Sequence, residues 1–304
     1  MPILVAGSTG LVGSAITRLL ESRGEKIIGI HSSIVNLLDR KRTFEFIKDL
    51  KPDLIIDSAA IVGGIGANNS LPVDFLSKNL QIQNNLMDAA HEARVERFVF
   101  LGSSCIYPRD CPQPIKEEFL MTGPLEKSNS AYAVGKIAGI ELIKSYRKQF
   151  NHRWISLTPT NVYGPNDNFD LETSHVLPAL INRFVSARRN GANSVRLWGS
   201  GNSMREFLHT DDLAEAVLLA AEKYDSDSHL NVGTGVDLSI KALAGMVANL
   251  SGYQGKIDWD YTQPDGTPRK VLDISRIASL GWQAKISLEV GVAKTIQWFE
   301  TNNN

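Results

Sequence analysis

Residues 3–13, Ile-Leu-Val-Ala-Gly-Ser-Thr-Gly-Leu-Val-Gly, constrain the fold more than any other stretch of the chain. A short apolar run enters G-x-x-G-x-x-G, and apolar residues then recur at helical spacing (Ala15, Ile16, Leu19, Leu20), which predicts strand, glycine turn and helix. Glycines at Gly7, Gly10 and Gly13 let the backbone turn tightly and bring its N–H groups to a helix start, where the dipole favours a pyrophosphate. With Ser8, Thr9, Leu11 and Val12 between them, residues 7–13 form a candidate phosphate cradle. Glycines also simply turn chains; the position after the first strand is what favours binding.

The alternation continues. Strands are predicted at 26–30, 53–57, 97–101 and 154–158, and helices at 40–50, 74–94 and 129–150, a pattern that builds a parallel sheet covered on both faces. Beyond these, 175–189, 213–224, 239–250 and 288–301 read as helices and 256–260 as a strand, with Thr210 or Asp211 as cap of the helix at 213 and residues 302–304 fraying. The expected architecture is α/β, a Rossmann-like doubly wound parallel sheet with a smaller α/β substrate-binding domain. No repeat or linker separates the two, so the smaller domain is built from excursions: 1–163 and 206–236 are assigned to the dinucleotide domain, 164–205 and 237–304 to the other.

Candidate chemistry lies in the loops and on one helix. Tyr132 and Lys136, four apart, share a helix face, and an ammonium beside a phenol favours its charged form, so the pair can pass a proton nearer neutrality than either alone. Taken singly, the same spacing describes a packed tyrosine and a lysine reaching for water. Leu101, Gly102 and Ser103 stand at the carboxyl end of a central strand, where open α/β sheets place ligands. Ser103 is therefore a candidate donor to a substrate carbonyl, although serine also satisfies turn backbone. Residues 159–169 form a long polar loop of the functional kind, and His175, at a helix start, fits a local hydrogen-bonding role as well as a catalytic one. The 263–270 segment, with Asp265 between two prolines and Arg269 and Lys270 after them, suits either a diphosphate or a surface turn. After the second strand, His31-Ser32-Ser33 supplies no carboxylate for a ribose 2′-hydroxyl, which favours NADP(H), and no arginine for a 2′-phosphate.

Charge narrows the partners. With 32 cationic and 33 acidic side chains and no long basic run, the chain has no footprint for nucleic acid or an anionic membrane. Cys105 and Cys111 are too few for a disulfide framework or a metal site and read as reduced thiols. Residues 1–6 carry no basic leader and no apolar stretch approaches a membrane span, so a soluble cytoplasmic protein is expected.

Glycine loop, post-strand serine and Tyr132/Lys136, in this order, resemble the extended short-chain dehydrogenase/reductases. More narrowly, residues 7–13, 62–69, 101–108, 132–139, 159–169, 174–180, 198–212, 231–235 and 264–270 together resemble the GDP-L-fucose synthase family, over nearly the whole chain. That resemblance implies 3,5-epimerisation of GDP-4-keto-6-deoxy-D-mannose followed by NADPH-dependent reduction at C4. It implies Tyr132 as proton donor, Lys136 as the residue that lowers its pKa and holds the nicotinamide ribose, and Ser103 on the same oxygen. Cys105 and His175 become base and acid for the two carbon centres. Arg183, Trp198, Arg205 and Asp265 fall where the family contacts the GDP-sugar; Pro159, Thr160, Asn161 and Val162, with His175, fall near the nicotinamide. A homodimer through the helices 74–94 and 129–150 is implied too, with Gly135 and Gly139 permitting close helix approach. Thr9 and residues 31–33 replace arginines that many bacterial relatives carry. Two other readings remain: a GDP-L-colitose synthase, which inverts only C5, and a catalytically silent dinucleotide sensor.

Overall fold

The computed structural model describes residues 2–263 and 265–303; Met1, Pro264 and Asn304 lie outside it, and with them the expectations for Pro264 and for the last asparagine. β1 (Ile3–Ala6) passes through the glycine turn into α1 (Leu11–Ser22), and β2 (Ile27–Ile30), α2 (Arg40–Leu50) and β3 (Leu54–Asp57) repeat the unit. α3 (Ile65–Ser70) and one π-turn at Asp74–Lys78 precede α4 (Asn79–Glu92), so the predicted 74–94 helix is interrupted at its start. β4 (Arg97–Leu101), α5 (Ser130–Phe150) and β5 (Ile155–Pro159) complete the first run. β6 (Asn161–Tyr163), α6 (Val176–Arg189), β7 (Ser194–Trp198), β8 (Met204–His209), α7 (Thr210–Lys223) and β9 (Leu230–Val232) follow. The chain closes with β10 (Asp237–Ser239), α8 (Ile240–Leu250), β11 (Lys256–Asp260), β12 (Arg269–Lys270), α9 (Ser275–Ser279) and α10 (Leu288–Asn302).

Six strands in the order β2-β1-β3-β4-β5-β9, all parallel, form the main sheet. Successive strand residues face opposite ways, and here both ways are apolar: Leu4, Ile55, Phe98 and Phe100 join one core with Leu86, Met87, Ile140 and Ile143 of α4 and α5. Val5, Ile56, Val99 and Leu101 join another with Ile16 and Leu20 of α1 and Leu213 and Val217 of α7. From β1 the chain steps one way to β2, then returns to β3 on the other side. That reversal opens a crevice beyond the carboxyl ends of β1 and β3, with the glycine loop on its rim.

A second body gathers on β8, which pairs with β6, β10 and β12, while β7 pairs with β11. Its core holds Phe184, Leu243, Val247 and Phe299. β8 joins the two bodies, because Phe207 packs into this core and the next residue, Leu208, into the sheet core. Residues 271–284 depart from the sequence-based division: Leu272, Ile277 and Trp282 pack on the six-stranded sheet, not in the second body.

One local expectation is corrected. His209, not Thr210 or Asp211, caps α7, its Nδ1 accepting from the Asp211 amide at 3.2 Å; Asp211 pairs with Arg18, and the Asp212 carboxylate accepts from the Lys285 and Ile286 amides. Gly135 and Gly139 also serve packing within the chain. The Gly135 carbonyl accepts from Gln83 Nε2 on α4, and a Cβ at Gly139 would lie 2.4 Å from the Phe100 ring.

Candidate active site

The glycine loop is shaped for a phosphate. A Cβ on Gly13 would lie 2.1 Å from the Gly7 carbonyl oxygen, and one on Gly7, whose φ is +77°, would lie 2.9 Å from Ala59. Gly10 caps α1 without a side-chain hydrogen bond, and no acidic residue stands in the first turn. The N–H groups at this helix start therefore face the crevice with no side chain taking them, the arrangement an anionic diphosphate needs. Ser8 lies against the end of β2, its Oγ donating to the Ile30 carbonyl at 3.3 Å. There His31 Nδ1 and Ser33 Oγ are 3.0 Å apart, and Arg40, the first arginine after the strand, is bound to Asp88 at 2.7 Å. The end of β2 thus offers small hydrogen-bonding groups, no carboxylate and no free guanidinium.

Deeper in the crevice, four elements converge. After β4, Gly102 donates to the Leu157 carbonyl at 2.7 Å, and Ser103 begins a short turn in which its Oγ accepts from the Cys105 amide at 3.4 Å. Accepting there leaves the Ser103 hydroxyl proton free to donate elsewhere. Cys105 is buried, and burial raises its thiol pKa against the pull of Lys270, the Ser103 hydrogen bond and Lys136. Tyr132 is half-buried at the start of α5, edge-on to Phe75, with ring centroids 6.2 Å apart. Lys136, one turn on, is 4% exposed; its Nζ donates to the Leu101 carbonyl at 2.8 Å and lies 5.9 Å from the Tyr132 ring centroid.

The sequence reading expects Lys136 to draw the Tyr132 pKa down. Here desolvation prevails and raises it, with the Cys105 thiol adding to the rise, while the Lys136 ammonium donates to the Leu101 carbonyl. β5 and β6 carry Pro159, Thr160, Asn161 and Val162 to the same wall. Thr160 Oγ1 and Asn161 Nδ2 donate to the Glu206 carbonyl at 3.3 and 2.8 Å.

His175 approaches from the other side as the N-cap residue of α6. The Gly64 amide, after β3, donates to the Thr173 carbonyl at 2.7 Å, and Gly64 has no room for a Cβ beneath Ser174, so the segment leading to His175 is pinned on the β3 rim. The ring is open to solvent yet lies among enough protein that desolvation lowers its pKa, as expected in a cleft. Among the described residues no hydrogen bond joins His175 to the Ser103–Cys105–Tyr132–Lys136 cluster.

Of the expected sugar-nucleotide contacts, Arg183 is half-buried on α6 and Trp198, 70% exposed, ends β7. Arg205 on β8 lies against Gly266, its pKa lowered by burial while Glu126 and Asp265 act the other way. Asp265 is bound to Ser200, through its amide at 2.9 Å and its hydroxyl at 2.6 Å, so it ties two loops together. The basic loop divides: Arg269 turns outward to Asp237 at 2.6 Å, whereas Lys270, half-buried, turns inward to Cys105. Lys270 is thus a site residue whose place beside the thiol, unlike its place in the basic loop, the sequence pattern does not show. Glu206 is another: fully buried, it accepts from the Thr234, Gly235 and Leu272 amides at 2.5, 2.6 and 2.9 Å, clasping the segment that carries Lys270 to the strand that carries Arg205.

Residues 3–233 match the model of the NAD dependent epimerase/dehydratase family. GDP-L-fucose synthase 1 of Arabidopsis thaliana is 48% identical over 302 residues, 99% of this chain and 93% of that protein. GDP-L-fucose synthase of Escherichia coli K12 is 46% identical, with 99% and 97% covered, and GDP-L-colitose synthase of Yersinia pseudotuberculosis is 36% identical over the full length of both. The solved structure of a GDP-L-fucose synthetase from Naegleria fowleri bound to NADP superposes with a TM-score of 0.91 at 28% identity, covering 99% of this chain and 94% of that one.

Proposed function

The chain belongs to the NAD dependent epimerase/dehydratase family, and within it we propose a GDP-L-fucose synthase: an enzyme that inverts C3 and C5 of GDP-4-keto-6-deoxy-D-mannose and reduces its C4 ketone with NADPH. One observation carries this reading. The thiol of Cys105 stands among the groups that serve a carbonyl reduction, Ser103, Tyr132 and Lys136, where it can act as a base that the reduction itself does not require.

Bound NADPH supplies the hydride for C4. Gly7, Ser8, Thr9, Gly10, Leu11, Val12 and Gly13 would hold its pyrophosphate, and Leu101, Gly102, Ser103, Lys136, Pro159, Thr160, Asn161, Val162 and His175 would surround its other half. NADPH is favoured over NADH because no carboxylate at the end of β2 repels a 2′-phosphate. Arg183, Trp198, Arg205 and Asp265 receive the GDP-sugar, which places substrate recognition on the second body and coenzyme binding on the sheet.

Ser103 and Tyr132 donate to the C4 oxygen. Holding negative charge on that atom makes the neighbouring C3 and C5 protons removable, and the same two donors later serve reduction, when Tyr132 delivers its proton to the new hydroxyl. Inversion also requires a base on one face of the carbon and an acid on the other. Cys105 is the base, with the Lys270 cation favouring its thiolate, and His175, arriving from the opposite rim, is the acid.

The protein acts as a cytoplasmic homodimer through the helices 74–94 and 129–150. Exposed Val73, Val134 and Phe150 support this pairing surface, and no described helix is long and apolar enough to cross a membrane. Turnover of the ketosugars with and without the 3-hydroxyl, compared side by side, tests the assignment. Higher kcat/KM for the 3-hydroxylated substrate is expected; preference for the 3-deoxy substrate transfers the chain to the colitose reaction.

A further inference from the structure

Asp57, the last residue of β3, is 1% exposed. It pairs with Ala6 on one side and Phe100 on the other, and two residues earlier Ile55 belongs to the α4/α5 core, so strand alternation turns Asp57 to that same face. Lys136 lies there too, its Nζ 4.8 Å from the Phe100 ring centroid. One Asp57 oxygen accepts from the Ala59 amide at 3.1 Å, while the other is buried with no hydrogen-bond partner. Such a carboxylate is costly unless an opposite charge compensates it. Lys136 has the complementary need: its buried ammonium has one acceptor, the Leu101 carbonyl, for three N–H groups.

We propose that Asp57 is the counter-charge of Lys136, a positioning residue that acts on the reaction only through that lysine. The proposal rests on the proposed function, in which Lys136 is one of the groups that serve carbonyl reduction. Electrostatically the two are nearly a closed pair: Lys136 is the one charged group acting on Asp57, and Asp57 and the Cys105 thiol are those acting on Lys136. Burial holds the Asp57 carboxyl up at about 6 and pulls the Lys136 ammonium down. Asp57 is therefore charged above about pH 6 and supports the cation there; below it the carboxyl is neutral and the support is lost. Removing the carboxylate should lower the lysine further, by about one pH unit or more for an opposite charge buried on the same face.

The test titrates the Lys136 ammonium by NMR in the full chain, with the resonance assigned from Lys136→Arg. In Asp57→Asn, which keeps the shape and still accepts from Ala59, the Lys136 midpoint should fall by about one unit or more. Asp57→Ser, smaller and uncharged, should give the same fall. The alkaline limb of kcat for ketone reduction should move with it, and a step near pH 6 should disappear. An unchanged Lys136 midpoint in both variants overturns the proposal. If the midpoint falls while the unaltered protein reduces no ketosugar, the pairing stands and the proposed function fails instead.

Discussion

Replacing Lys270 with methionine isolates the electrostatic part of epimerisation. β12 pairs with β8 so that Lys270 stands beside Arg205, and of the groups that draw the Cys105 thiol down against burial Lys270 is the largest. A nearby opposite charge is worth roughly 1–3 pKa units, and one unit is about 1.4 kcal/mol. Taking the low end, the thiolate present near neutral pH falls about tenfold in Lys270→Met. The thiolate that remains is more basic, and with a Brønsted slope of about 0.5 this returns roughly threefold, leaving exchange about threefold slower. Sign and pH range are the sharper test. The deficit should be full below the normal thiol pKa and vanish as pH rises through the raised one, above which the variant should match or exceed the unaltered protein. The assay is deuterium incorporation at C3 and C5 of saturating ketosugar in D2O without reduced coenzyme. Wild-type exchange at every pH, or a deficit that persists undiminished at alkaline pH, would refute this role.

Tyr132→Phe should lower ketone reduction by about 10²–10⁴-fold with coenzyme affinity little changed, because the ring still packs on Phe75 while the proton donor is gone; near-normal reduction would remove Tyr132 from its role. Cys105→Ser should lose deuterium exchange at C3 and C5 yet still reduce C4, releasing an unepimerised sugar such as GDP-D-rhamnose, and exchange at the wild-type rate would make the cysteine a buried bystander. Coenzyme titrations should give a higher kcat/KM for NADPH than for NADH, by a small factor since Arg40 is held by Asp88; a clear NADH preference would reverse the reading of β2.

What was legible in the sequence was whatever depends on local periodicity or on backbone necessity. β1, the glycine turn and α1 follow from an apolar run, glycines at positions where a Cβ collides, and helical spacing, all within a few residues. Tyr132 and Lys136 are one turn apart wherever α5 packs, so their pairing needs no tertiary information. Lys270 is different. It reaches Cys105 only because a two-residue strand pairs with β8, a contact across more than sixty positions that no composition reveals. Asp57 hides for a similar reason, since an acid ending an apolar strand is ordinary until α5 places an ammonium on the same face. β6 does not show in the sequence because three residues inside a polar stretch carry no strand pattern; β8 recruits them through its edge. The α7 cap does not show in the sequence because histidine is a weak cap by preference, and only the fold turns its Nδ1 to the Asp211 amide.

The configuration of the product tests the central claim most directly. GDP-4-keto-6-deoxy-D-mannose and NADPH, incubated with the protein in D2O and examined by NMR, should yield GDP-L-fucose carrying deuterium at both C3 and C5. Reduction without exchange, giving a D-configured 6-deoxyhexose, or exchange without any consumption of NADPH, would contradict a single site in which Cys105 and His175 invert the sugar that Tyr132 then completes.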